Sequence, residues 1–182
     1  MAEVIYYVAC SIDGFIADEQ GGVDWLGSEQ SEADDYGYAS FFDSIDALVM
    51  GSRTYEQVVG FGEWPYATKP CWVLSQRPLA PAAPAVRITS GEPNEVLAEI
   101  DRAGHSRVWM VGGAQAAGAF LERSLMTQLV ISVIPVVLGR GIPLFQGVGS
   151  IREFALERTD RFQSGVVQCR YSAKMHRTQA AS

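Results

Sequence analysis

Three short stretches gather hydroxyls, guanidinium groups and backbone N–H groups in the combinations that bind anions: "GSRTYE" at residues 51–56, "SQR" at 75–77 and "GGAQ" at 112–115. Each follows an apolar run that reads as a buried β-strand: "DALVM", "CWVL" and "VWMV". In the first, Gly51 makes a turn, and Ser52, Arg53 and Thr54 fall where a helix begins with unpaired N–H groups. That end of a helix favours phosphate, although Ser52 or Thr54 acting as an N-cap for its own helix explains the same residues. In the second, Ser75, Gln76 and Arg77 suit a phosphate monoester; a solvated loop is the alternative reading. In the third, Gly112 and Gly113 let the backbone approach a ligand, and Ala114 and Gln115 open a helix. A diphosphate fits there, but the full G-x-G-x-x-G fingerprint is absent and a plain tight turn also uses paired glycines.

Taken together, the three strand ends offer the spread of contacts that a dinucleotide phosphate ester needs, which points to NADPH as cofactor. A charge-assisted hydrogen bond contributes about 1.5–3 kcal/mol. Arg77 on the 2′-phosphate would therefore give a roughly 10- to 100-fold preference over NADH.

The elements that must position these residues alternate along the chain. "EVIYYVAC" is a strand, "SEADDYGYASFFDSI" reads as helix, and "DALVMG" is a second strand leading into the helix "SRTYEQVVG". "PCWVLSQ" and "AVRIT" are strands, "EPNEVLAEIDRAG" is a helix, and "RVWMVGG" is a strand followed by the helix "AQAAGAFLERSL". "TQLVISVIPVV" reads as one long strand, and the tail as two antiparallel strands joined near Ser164-Gly165. The Pro-rich segment 78–85 is a stiff surface connection. Apolar runs without alternation, each followed by a helix, predict an α/β fold with a mostly parallel sheet, whose ligands bind outside the carboxyl ends of the strands.

The chain has 182 residues, of which 48% are hydrophobic and 19% charged, as expected for one domain spanning 1–182. A net charge of -7 without a basic stripe argues against nucleic acid or an anionic membrane as partner. Cys10, Cys71 and Cys169 are far apart and without a CxxC pair, and with only His105 and His176 they form no zinc motif. They read as buried thiols in a reducing compartment. The N-terminus has no basic region before its first apolar run, and no apolar run approaches the roughly 18 residues of a membrane span, so a cytoplasmic protein is expected.

"SIDGFIA" (11–17), "MGSRTYE", "VGGAQ" and "PVVLGRGIPLF", in this order, resemble the dihydrofolate reductase fold. They are most similar to the C-terminal reductase domain of bifunctional riboflavin-biosynthesis proteins and its stand-alone relatives, over nearly the whole chain. The resemblance implies a three-layer sandwich with a C-terminal antiparallel hairpin, a homodimer, and NADPH-dependent hydride transfer to a small heterocyclic, imine or carbonyl substrate, as in 5-amino-6-(5-phosphoribosylamino)uracil reductase. It places Ala9 and Ile16 at the nicotinamide, Gly51 to Thr54 on the phosphates, Ser75 to Arg77 at the 2′-phosphate, and Gly112 to Gln115 on the diphosphate. It also accounts for the break at Asp13-Gly14, where the chain loops over the nicotinamide and Phe15 and Ile16 return as an apolar lid.

On the substrate side the chain departs from those relatives. Phe15 stands where the riboflavin reductases usually carry a lysine, which counts against a phosphorylated ribosyl substrate, and the deaminase motif is absent. Dihydrofolate reductases carry a carboxylate on the first helix, for which Asp35 is the nearest counterpart, next to Asp34; acidic residues also favour the first turn of any helix. Ser132 occupies the place of a hydroxyl residue that contacts this carboxylate. The expected roles are Asp35 and then Asp13 for substrate orientation or proton relay, with Tyr36 assisting, and Trp25, Trp64, Phe41 and Phe42 as walls for a flat substrate. The two alternatives are dihydrofolate reductase, which requires Asp35 buried with a raised pKa, and a non-catalytic nucleotide-binding dimer module with "LVISVIPVVLGRGIPLF" as its apolar interface.

Overall fold

In the computed structural model, residues 1–27, 35–66 and 69–174 are described. In chain order the elements are β1 (Glu3–Ser11), β2 (Phe15–Ala17), a 3₁₀ turn (Asp24–Leu26), α1 (Tyr38–Ser44), β3 (Ala47–Gly51), α2 (Ser52–Gly60), β4 (Cys71–Leu74) and β5 (Val86–Thr89). Then come α3 (Pro93–Arg102), β6 (Arg107–Gly112), α4 (Ala114–Glu122), β7 (Gln128–Ile134), β8 (Ile142–Pro143), β9 (Phe154–Arg161) and β10 (Val167–Ala173).

Eight strands form one sheet in the order β5-β4-β3-β6-β1-β7-β10-β9, and β2 pairs with β8 in a small separate sheet. From β5 to β7 all pairs are parallel. β10 runs antiparallel to β7, and β9 antiparallel to β10, so the tail is the expected edge hairpin. Its turn holds Gly165 at φ +87, where a residue without Cβ is unstrained.

The period of two in each strand divides the core between two faces. Ile5, Leu48, Met50, Val73 and Val130 face Phe41 and Ile45 of the α1 region and Tyr55 and Val58 of α2. Val4, Tyr6, Val49, Val108 and Met110 face α3 and α4 through Leu97, Ile100, Ala117 and Phe120. The result is the predicted dihydrofolate reductase-like α/β sandwich, with helices on both sides of a mostly parallel sheet. Among the described residues no helix is long and apolar enough to cross a membrane, and no cluster of His, Cys, Asp and Glu is arranged to hold a metal.

Two elements differ from expectation. The helix expected over 31–45 covers only Tyr38–Ser44, because Tyr36 (φ 53) and Gly37 (φ 78) adopt left-handed backbone before it; residues 31–34, Asp34 among them, lie outside the described set. The strand expected over 127–137 ends at Ile134, since Pro135 has no N–H for the ladder. Beyond it, Val136 accepts a hydrogen bond from the Ile12 N–H, which starts the crossing towards β8. The segment 78–85 lies at the surface as expected. Tyr55 anchors it by donating to the Ala80 carbonyl (2.6 Å) and accepting from the Ala82 N–H (2.7 Å).

Candidate active site

A cleft of about 1270 Å³ opens outside the carboxyl ends of β1, β3, β4 and β6, where an open α/β sheet binds its ligands. All thirteen residues expected to hold the cofactor line it: Ala9 and Ile16, Gly51 to Thr54, Ser75 to Arg77, and Gly112 to Gln115. Thr54 joins two of these segments. A Cβ on Gly113 would lie 3.1 Å from the Thr54 hydroxyl oxygen, a tight contact that would require Thr54 to give way, so glycine lets the β6–α4 turn settle closely against α2.

The helix ends distinguish an anion site from ordinary capping. α3 carries a capping box in which Glu92 and Glu95 satisfy its first N–H groups. α3 starts at the cleft, as do α2 and α4, but α2 and α4 have no side-chain cap. Ser52 and Thr54 therefore do not close their own helix, and the orphan N–H groups of both helices are left to a ligand. A cap is worth about 0.5–2 kcal/mol, and forgoing it twice at one cleft fits two phosphate groups.

Arg53, Arg77 and Arg123 also line the cleft. Arg53 is in no ion pair among the described residues. Arg77 is paired with Glu56 at 2.8 Å and Arg123 with Glu92, so a 2′-phosphate would compete with a carboxylate for each guanidinium. Ser75 is buried, its hydroxyl donating to the Arg77 carbonyl at 2.7 Å and accepting from the Arg77 N–H at 3.1 Å, which fixes the turn that presents the arginine. Arg123 was not legible in the sequence, since it stands at the far end of α4 and only the packing of α4 beside α3 brings it to the cleft.

The break after β1 becomes a lid. Asp13 accepts hydrogen bonds from the Ser11 hydroxyl (2.6 Å) and from the N–H groups of Leu138 (3.1 Å) and Gly139 (2.7 Å). These bonds, led by that of Ser11, lower its pKa. They clip the 138–139 loop to the turn, so that Phe15 pairs with Pro143 and Ala17 with Ile142. Ile16 and Ile142 then cover one end of the cleft, while Gln57 of α2 donates to the Gly21 carbonyl (2.7 Å) and draws the following loop across its mouth.

Beside Ala9 a second cavity of about 180 Å³ shares Tyr7, Ala9 and Leu26 with the cleft. Its other walls are Asp35, Tyr36, Tyr38, Ser132, Ile134 and Val166. Asp35, Tyr36 and Ser132 thus meet at one cavity as expected, but Asp35 makes no hydrogen bond to Ser132. Its carboxylate accepts from the Gly37 and Ala39 N–H groups, both at 2.9 Å. These bonds, led by that of Ala39, lower its pKa, and its side chain is exposed. Asp35 holds the start of α1, and the raised pKa that a pterin-binding carboxylate requires is absent.

Ser132 instead accepts from Gln168 at 3.0 Å. The aromatic walls are also other than expected: Trp64, Phe41 and Phe42 pack within the core against Tyr55, Tyr7 and Tyr38, and Leu26 rather than the neighbouring Trp25 lines both cavities. The ring walls are Tyr7, Tyr36 and Tyr38. Burial raises the pKa of Tyr7 and of Tyr38, so both are neutral phenols.

Sheet order, edge hairpin and cleft position together define a dihydrofolate reductase-like domain. Residues 68–168 match the RibD C-terminal domain, and the chain belongs to that family. It is 33% identical over 165 residues to the uncharacterized protein YwjB of Bacillus subtilis, covering 90% of this chain and 94% of that one. It is also similar in structure to a Shewanella sp. PV-4 protein named for riboflavin biosynthesis, with a TM-score of 0.87, 30% identity, and coverage of 96% of this chain and all of the other. The Thermotoga maritima diaminohydroxyphosphoribosylaminopyrimidine deaminase/5-amino-6-(5-phosphoribosylamino)uracil reductase shares the fold at 14% identity and a TM-score of 0.73, the match covering 95% of this chain and 57% of that one.

Proposed function

We propose that the protein is an NADPH-dependent reductase that transfers a hydride to a small heterocyclic, imine or carbonyl substrate. The observation that carries this reading is the convergence of three strand-end segments, with two uncapped helix N-termini, on a cleft of about 1270 Å³. That space exceeds the roughly 300–1,000 Å³ of a pocket for one drug-sized ligand.

The donor set fits the cofactor. The N–H groups opening α2 and α4 would take the diphosphate, and Ser75, Gln76, Arg77 and Arg123 would surround the 2′-phosphate. Ala9 and Ile16 would flank the nicotinamide. NADPH supplies the hydride when bound; the chain positions the acceptor and excludes water. The β2–β8 lid covers the nicotinamide end, and the lobe walled by Tyr7, Tyr36 and Tyr38 opens beside Ala9 to take the acceptor. Asp13 and Asp35 both have lowered pKa values. They are carboxylates at neutral pH and act as positioning groups, because a general acid needs a pKa near the working pH. Ser132 offers a hydroxyl to the acceptor, whereas the Tyr7 hydroxyl is committed to the Tyr36 carbonyl.

Calorimetric titration of the protein with NADPH and NADH tests the reading. It predicts NADPH binding at least about tenfold tighter than NADH; binding of neither nucleotide would overturn it.

A further inference from the structure

The smaller cavity has an unusual floor. Ala9 of β1 lies opposite Ser132 of β7, and Ser132 lies opposite Gln168 of β10, so three adjacent strands bring these residues into one row. Gln168 is 5% exposed and Ser132 is 6% exposed. The Gln168 amide nitrogen sits 3.0 Å from Ser132 Oγ, 3.1 Å from the Tyr36 carbonyl and 3.3 Å from the Tyr7 hydroxyl. The carbonyl only accepts, which fixes the amide with its NH₂ towards this group. Tyr7 in turn donates to the same carbonyl at 2.9 Å.

This arrangement dictates the direction of one hydroxyl. Ser132 Oγ accepts from Gln168 and donates to no acceptor among the described residues, yet it lines the cavity. Its hydrogen is thus available to whatever enters. The charges around the cavity are one-sided: among the described residues Asp35 stands at the rim and no lysine or arginine is among the walls. Arg170 is close enough to act electrostatically on Tyr7 but does not line the space. A volume of about 180 Å³ suits a single six-membered ring, given that an apolar cavity of about 150 Å³ accommodates benzene.

Resting on the reductase reading above, we propose that this lobe takes an uncharged planar ring of the substrate, whose carbonyl or ring-nitrogen acceptor receives the Ser132 hydroxyl, and that Gln168 is the positioning residue that turns this hydroxyl into the lobe. The substrate carries no phosphate at this end. A phosphate would meet Asp35 and find no cation.

The test uses probes of known chemistry and an ¹⁵N-labelled protein, titrated with pyridine N-oxide (acceptor only), aniline (an N–H donor ring of similar size) and phenyl phosphate. In the wild type, pyridine N-oxide should shift the amides of Ala9 and Ser132 and bind about two- to tenfold tighter than aniline, the range of one hydrogen bond; phenyl phosphate should leave those amides unmoved. Ser132→Ala should abolish the discrimination and Ser132→Thr, which keeps the hydroxyl, should preserve it. Gln168→Met, of similar size but without the N–H, should reduce it, because nothing then fixes the direction of the hydroxyl. Equal binding of the two neutral rings by the wild type, unchanged discrimination in Ser132→Ala or Gln168→Met, or phenyl phosphate shifts at Ala9 and Ser132 would overturn the proposal. Each variant is titrated with NADPH as well. Ring discrimination without NADPH binding would sink the reductase reading while upholding the Ser132–Gln168 assignment, and NADPH binding without discrimination would do the reverse.

Discussion

Glu56 competes with the cofactor for Arg77, and that competition can be measured. The guanidinium and carboxylate are 2.8 Å apart, with side chains 60% and 43% exposed. An exposed pair of this kind contributes about 0.2–1 kcal/mol, so freeing Arg77 costs a factor of about 1.4–5 in affinity. A charge-assisted hydrogen bond to phosphate returns about 1.5–3 kcal/mol. Net of that cost the gain is about 0.5–2.8 kcal/mol, so Arg77→Ala should weaken NADPH binding roughly 2- to 100-fold and leave NADH within about twofold. Glu56→Gln should tighten NADPH binding by up to about fivefold, because the arginine is released and a carboxylate near the 2′-phosphate is neutralised. The part of that gain that runs through Arg77 should vanish in the double variant. Calorimetry with both nucleotides at a fixed ionic strength of about 0.1 M is the assay, since surface charges are screened over about 10 Å there. Equal weakening of both nucleotides by Arg77→Ala, or no change for either, would refute the placement of the 2′-phosphate.

Other outcomes follow from single contacts. Asp13→Ala should speed hydrogen exchange at the Leu138 and Gly139 amides and weaken NADPH binding by loosening the lid. In the wild type the same amides should stay protected down to about pH 3.9, the ordinary aspartate value, and lose protection only below it, since the lowered pKa of Asp13 in the folded protein delays the protonation that releases its partners. Gly118→Ala should destabilise by about 1–3 kcal/mol or more in chemical denaturation, because its Cβ would overlap the backbone carbonyl of Gln146, which cannot move without shifting the cleft wall. Burial pushes the thiols of Cys10 and Cys71 up to about 11 and about 12, so both should resist iodoacetamide at pH 8 until the protein unfolds, as mass spectrometry would register.

How far the sequence could be read depends on how local each signal is. Gly51, Arg53, Arg77 and the Gly112-Gly113 pair sit immediately after apolar strands, and such strand-end positions map to the same edge of a parallel sheet without any knowledge of strand order. The substrate lobe depends on lateral pairing. Tyr7, Ser132 and Gln168 come together only because β10 folds back beside β7, a register that no local pattern specifies. One signal did exist: Gln168 interrupts the apolar alternation of "GVVQCRY", and a buried amide in a strand requires partners. Asp35 illustrates the opposite error. Its position two residues before Gly37 is that of a turn-forming aspartate that accepts from the backbone ahead of it, and this local role outweighs the analogy with a pterin-binding carboxylate.

The most direct test is a crystal structure of the protein with NADPH. The account predicts the diphosphate on the N-termini of α2 and α4, the 2′-phosphate on Ser75 and Arg77, and the nicotinamide between Ala9 and Ile16 with its reactive face towards the lobe floored by Ser132. A nucleotide bound elsewhere, or one in the cleft with its nicotinamide directed away from that lobe, would contradict it.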